Sequence, residues 1–245
     1  MVDPLHQFEI HEIVPLSLFG YDISFTNASL SMLVSALVAV FFLHMATRKQ
    51  ALIPGRFQMA VESLFSFIGQ MIKTHVGREG LAYFPHVFCL FLFILVGNTL
   101  GLFPYAFTFT SHIIVTFSLA MLVFMGSIII GVKKHGLHFF KLFFPDGIPL
   151  YVAPLLVPVE IISFLSRPIS LSVRLFANMV AGHIMLKIFA GFCVLLAASN
   201  FFPLAAAPLL INAAMTGFEF LVALLQAYVF TILTCIYLND AINLH

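Results

Sequence analysis

The sequence predicts an all-α integral membrane protein. It has five membrane-crossing helices and one amphipathic interfacial helix, and its last two helices form a long, strongly tilted hairpin. Three observations carry that prediction. The chain has 245 residues, of which 62% are hydrophobic and 9% charged, whereas an average soluble domain carries about 25% charged residues. Its mean hydropathy is +1.10. From Gly80 to Val132 there is no Asp, Glu, Lys or Arg at all. A water-facing surface for a chain of this size cannot be made from 11 basic and 10 acidic side chains. A formal net charge of +1 gives no field to hold a polyanion, so nucleic acid is excluded as a partner. The environment left is the lipid bilayer.

The elements follow in chain order. Residues 1–27 form an N-terminal segment on the outer side. The start, MVDPLHQFEIHEIVPL, has no Arg-rich stretch and no short apolar run after a basic start, which predicts no cleavable leader. A spanning helix needs about 20 mainly apolar residues. The first such stretch is 28–47, closed by Arg48 and Lys49. Over 55–76, Phe57, Val61, Leu64, Ile68 and Ile72 recur on one helical face, and Glu62, Ser66, Gln70 and Lys73 on the other. That pattern predicts an amphipathic helix on the inner membrane surface, with a soluble loop helix as the other reading. The charge-free run is too long for one span. Pro104, followed by Thr108, Thr110, Ser111 and His112, divides it into spans at 83–103 and 112–132. Lys133, Lys134 and Lys141 close it. The remainder breaks near Ser199 to Pro203, leaving long helices at 150–198 and 205–240.

At about 1.5 Å per residue the first of these runs roughly 70 Å, against a hydrocarbon core of about 30 Å. It must lie oblique or break, with Pro149, Pro154, Pro158 and Pro168 as break points. Lys and Arg gather between spans one and two and between spans three and four, while the turns near 104–111 and 199–204 have none. The positive-inside rule then places the N-terminus outside and the C-terminus inside. Cys89, Cys193 and Cys235 each lie in an apolar run, which predicts small buried hydrophobes rather than disulfides or ligands.

Ionisable residues inside the last hairpin are expensive and therefore informative. They are Glu160, Arg167, Arg174, His183, Lys187 and Glu219, accompanied by the polar Asn178 and Gln226. A reversal near residue 201 puts His183 level with Glu219, Arg174 level with Gln226, and Glu160 level with Asn239 and Asp240. Helical spacing sets Glu160, Ser163, Arg167, Ser170, Arg174 and Asn178 on one stripe, and Asn212, Thr216, Glu219 and Gln226 on another. His183 lies half a turn away from the stripe of Arg174. A guanidinium stays protonated at any ordinary pH, and no carboxylate of the chain is placed to pair with Arg174. Its counter-charge is expected from another subunit. Snorkelling or structural pairing is the alternative for Arg174, and more so for Arg167 and Lys187.

SRPISLSVRLFANMVAGH (166–183) and LLQAYVFTILTCIYL (224–238) resemble the a-subunit family of F-type ATP synthases. GNTLGLFPY (97–105), the amphipathic segment and the order of spans also match, and the likeness covers nearly the whole chain after about residue 5. The His183 and Glu219 arrangement is the one familiar from mitochondria and α-proteobacteria. The N-terminal start looks α-proteobacterial, which implies a bacterial inner membrane with a periplasmic N-terminus and a cytoplasmic C-terminus. The resemblance implies a proton-conducting stator of the Fo sector with no bond-making chemistry and no cofactor. Arg174 would face the carboxylate of each passing c subunit, with Gln226 and Asn178 as polar neighbours. His183 and Glu219 would line the outer half-channel, and Glu160, Ser163 and Ser170 the inner one. The partners implied are the c-subunit ring, the b subunits of the peripheral stalk and the other synthase subunits. Gly101 stands where some members carry an acid, and receives no role. A secondary transporter for an anionic substrate is the competing reading; it would need a self-contained site, and the chain shows no internal repeat. The histidines His6, His11, His135 and His138 have no acid-rich cluster or HExxH with them, so no metal site and no catalysis are expected.

Overall fold

The computed structural model describes residues 8–15, 17–18, 21–22, 24–48, 55–103, 106–136, 139, 153–199 and 202–243. The turn expected at Pro104, the reversal at Asn200 and Phe201, and Lys49, Lys141, Pro149, His6 and His138 lie outside those residues. Four short strands come first: β1 (Glu12–Val14), β2 (Ser17–Leu18), β3 (Tyr21–Asp22) and β4 (Phe25–Thr26). They pair antiparallel as β1 with β4 and β2 with β3. Among the described residues the α-helices that follow are α1 (Asn27–Thr47), α2 (Arg56–His75), α3 (Phe84–Gly101), α4 (Ile113–His135), α5 (Ala153–Ala198) and α6 (Phe202–Ile242). Short 3₁₀ turns, Glu79–Tyr83 and Phe109–Ser111, precede α3 and α4.

Among the described residues, five helices are long and apolar enough to cross a membrane, and α2 is not among them. The fold is thus that of an all-α integral membrane protein. Against the break points expected in the first long helix, α5 runs unbroken through Pro158 and Pro168. Its 46 residues make a rod of about 69 Å, more than twice a hydrocarbon core of about 30 Å. Helix α6 starts at Phe202, earlier than the expected 205, with Pro203 in the first turn. Proline is tolerated there because that position has no intrahelical partner for an N–H.

The chain divides into two compact units. The first comprises Met1–His44, Leu92–Ile113 and Leu175–Ala227. Its interior is set by Ile94, Phe109, Leu175, Met179 and Ala223. The polar Asn98 is fully buried with them and donates to the carbonyl of Ala223 at 3.4 Å. That bond gives the buried amide nitrogen of Asn98 a partner where water cannot.

The second unit comprises Met45–Phe91, Ile114–Arg174 and Tyr228–His245. Ile68, Met71 and Ile72 turn the apolar face of α2 inward, while Phe57 and Phe65 on the same helix are exposed. Gly77 ends α2 with φ +87°, which a side chain would strain. Lys134 pairs with Glu79, and His135 meets the carbonyl of Ile242 at 2.9 Å. Phe230, Cys235, Leu238, Ala241 and Ile242 make α6 the centre of this unit.

Along the whole chain, half of the apolar window of α6 is buried, against 6% of that of α5. Helix α6 is therefore a core element, and α5 presents most of its surface outward. The cysteines correct one expectation. Only Cys235 is buried, Cys193 is half-buried and Cys89 is exposed. An apolar run in a membrane chain serves lipid as well as core, so it does not imply burial within the protein.

Candidate functional site

In the first unit α5 and α6 bring His183 and Glu219 together. His183 Nδ1 lies 3.7 Å from Glu219 Oε1, and the two side chains are 12% and 4% exposed. That spacing is longer than a hydrogen bond, so the two groups face each other without being locked. Among the described residues neither carboxyl oxygen of Glu219 has a hydrogen-bond partner. A buried carboxyl left unsatisfied is costly, and such a group in a native fold calls for a functional reason. The close approach depends on Gly182: a Cβ there would stand 2.5 Å from Glu219 Oε1.

Two further residues reach the imidazole. Thr108 Oγ1 lies 3.1 Å from His183 Nε2, and the ring of Phe8 meets it edge-on with centroids 6.3 Å apart. Neither was legible in the sequence. Both lie outside the regular helical stripes, where spacing gives no signal. Gln226 is buried and Asn178 is half-buried, both in this unit. His112, in the loop before α4, stacks on Phe107 at 5.2 Å, and burial holds its imidazole below the ordinary pKa.

In the second unit Arg174, Ser163 and Ser170 are exposed on α5, and Glu160 is half-buried. Among the described residues, Arg174 makes no ion pair and no side-chain hydrogen bond. Its neighbours Ile169 and Val173 are exposed apolar residues, as are Val159 and Ile162 beside Glu160. A permanent charge thus stands on an apolar surface.

Arg167 behaves differently, although it shares the stripe. Its Nη1 donates to Asp240 Oδ2 at 2.5 Å, and its guanidinium lies 5.5 Å and 5.7 Å from the ring centroids of Phe164 and Tyr237. Tyr237 donates its hydroxyl to the carbonyl of Arg167 at 3.4 Å. Structural pairing is therefore the role of Arg167. The hairpin count had set Asp240 level with Glu160. In the structure Arg167 reaches Asp240, as the long guanidinium stem leans along the helix toward its N-terminus.

No group of three or more His, Cys, Asp or Glu among the described residues is arranged to hold a metal ion.

The family model "ATP synthase A chain" matches residues 29–239. An ATP synthase subunit a from Rhizobium leguminosarum bv. trifolii is 57% identical over 243 residues, covering 98% of this chain and 97% of the relative. One from Rhodospirillum rubrum is 53% identical over 245 residues, covering the whole of both chains. One from Agrobacterium fabrum is 54% identical over 243 residues, covering 98% of each. With a family model spanning most of the chain and full-length relatives above half identity, the chain belongs to the ATP synthase A chain family, the proton-translocating membrane subunit a of the Fo sector.

Proposed function

We propose that this chain is the stator of a rotary proton motor. It offers two offset half-channels and couples the proton flow between them to rotation of the c-subunit ring. The observation that carries this reading is Arg174, an exposed guanidinium on an apolar helix with no partner among the described residues. An intramembrane charge costs several kcal/mol even by the lower estimates. A carboxylate on each passing c subunit removes that cost transiently, which none of the described residues of this chain does.

The proton path follows from charge. A proton enters from the periplasm past His183 and Glu219 and neutralises a c-subunit carboxylate, which can then face lipid. After nearly a full turn the site reaches the inner half-channel, lined by Glu160, Ser163 and Ser170. Arg174 favours the ionised carboxylate there, and the proton leaves to the cytoplasm. The fixed positive charge blocks direct proton flow between the half-channels. Gln226 and Asn178 are polar partners along the path of the c carboxylate. The chain itself carries out no chemistry beyond proton transfer. Its N-terminus is periplasmic and its C-terminus cytoplasmic in the bacterial inner membrane, in keeping with the lysines at the end of α4. The b subunits of the peripheral stalk hold it against the ring's torque.

The test is Arg174→Ala in vesicles of known sidedness carrying the assembled complex. Proton-driven ATP synthesis and ATP-driven pumping should both be lost. Arg174→Lys should rescue poorly, because a compact ammonium lacks the delocalised fork and sheds its proton when desolvated. Near-normal synthesis by Arg174→Ala would remove the reading.

A further inference from the structure

Thr108 stands at the N-cap position of the 3₁₀ turn Phe109–Ser111. A threonine there ordinarily accepts a backbone N–H of the turn through its hydroxyl. Here it makes no such bond. Ser111 closes the turn instead, bonding the carbonyl of Thr108 through its hydroxyl at 2.6 Å and its N–H at 3.1 Å. The hydroxyl so released lies 3.1 Å from the carbonyl of Gly101 and 3.1 Å from His183 Nε2.

The proton count then decides the ring. A carbonyl oxygen only accepts, so the single hydroxyl hydrogen of Thr108 goes to Gly101. Toward His183 the threonine offers a lone pair, and Nε2 must carry hydrogen. A neutral imidazole has one N–H, so Nδ1 is bare. Nδ1 is the atom that faces Glu219. We infer that Thr108 is a positioning residue that locks the tautomer of His183, so that Nδ1 alone exchanges the translocated proton with Glu219.

The inference rests on the relay reading of His183 and Glu219 proposed above. In each cycle Nδ1 takes a proton from the outer side, giving an imidazolium with both nitrogens protonated. The Nδ1–H bond then breaks as a Glu219 oxygen takes the proton. A neutral ring protonated on Nε2 and a neutral carboxyl remain. Glu219 then gives that proton to the facing c-subunit carboxylate and is ionised again, so one proton enters and one leaves, and the ring neither flips nor changes tautomer between cycles. Two glycines make this arrangement sterically possible. A Cβ at Gly101 would stand 2.5 Å from Thr108 Oγ1, as one at Gly182 would from Glu219 Oε1. Gly101, without a role on sequence grounds, supplies both the acceptor and the space.

The test compares Thr108→Val, which keeps the branched shape and loses the hydroxyl, with Thr108→Ser, which keeps the hydroxyl and loses the methyl. Proton-driven ATP synthesis is measured per assembled complex in vesicles. Val should slow synthesis roughly five- to tenfold, the effect of one lost hydrogen bond at the reacting group. Ser should stay within about twofold of wild type. On a Glu219→Gln background Thr108→Val should add no further loss, since the pair it serves is gone. Thr108→Ala removes the same hydroxyl with less bulk and replaces Val if that variant does not assemble. Wild-type synthesis by Thr108→Val, with Glu219→Gln slow, overturns the tautomer lock and leaves the relay standing. Ser as slow as Val assigns Thr108 to packing and also overturns the lock, as does an added loss on the Glu219→Gln background. Wild-type synthesis by Glu219→Gln overturns relay and lock together.

Discussion

Arg167 with Asp240 in the second unit, and His183 with Glu219 in the first, each set an ionisable group of α5 against one of α6. The first pair is closed. Its atoms are 2.5 Å apart, the cation lies over two aromatic rings, and a tyrosine hydroxyl ties the backbone beside it. The second pair is open. Its atoms are 3.7 Å apart, and the carboxylate oxygens lack partners among the described residues. A closed pair holds its charges through every state, which suits a brace. An open pair of a neutral-capable acid and base keeps its proton exchangeable, which suits a relay. Residue type alone separates them as well: arginine does not release its proton in a protein, and histidine does.

The largest effect that should sharpen the comparison is at the open pair. Glu219→His alone should cut proton-driven synthesis by about a hundredfold or more, the usual scale of a lost acid–base group. The exchanged variant, His183→Glu with Glu219→His, restores both chemical groups at nearly the same separation. It should recover part of that loss, short of wild type because Gly182 leaves space shaped for the original carboxylate. No gain over Glu219→His alone would mean that the pair is not a relay.

A smaller effect is expected at the closed pair. Arg167→Ala removes an ion pair and two cation–ring contacts at partly exposed positions, a loss of about 1–2 kcal/mol. The yield of assembled complex should fall, measured by co-purification with the other synthase subunits. The synthesis rate per assembled complex should change by less than about twofold, since a brace contributes no transferable proton. A rate loss matching that of Glu219→His would erase the distinction between the pairs.

Much of this was legible in the sequence, and the rest was hidden for physical reasons. The spans could be read because lipid demands long apolar runs with their polar backbone satisfied internally. His183 and Glu219 could be placed at one level because they lie close to the reversal, where small errors in the count have not accumulated. The contact of Asp240 with Arg167 was not legible, because the count gives the level of a residue and not the reach of a long side chain. The strands β1 to β4 went unread, since segments of two or three residues show no period. Thr108 and Phe8 belong to non-helical segments that reach the imidazole only through tertiary structure. Sequence spacing could propose the polar stripes, but not which of their members are braced. Arg167 and Arg174 stand on the same stripe of α5, and only the packing separates the paired cation from the one without a partner among the described residues.

The most direct test neutralises one carboxylate of each pair in the same assay, Glu219→Gln against Asp240→Asn, scoring assembly and proton flux per assembled complex separately. Glu219→Gln should assemble normally and lose most of its proton-driven ATP synthesis, while Asp240→Asn should assemble poorly and work nearly normally once assembled. The reverse pattern, or equal losses of flux in both variants, would contradict the division of the two pairs into relay and brace.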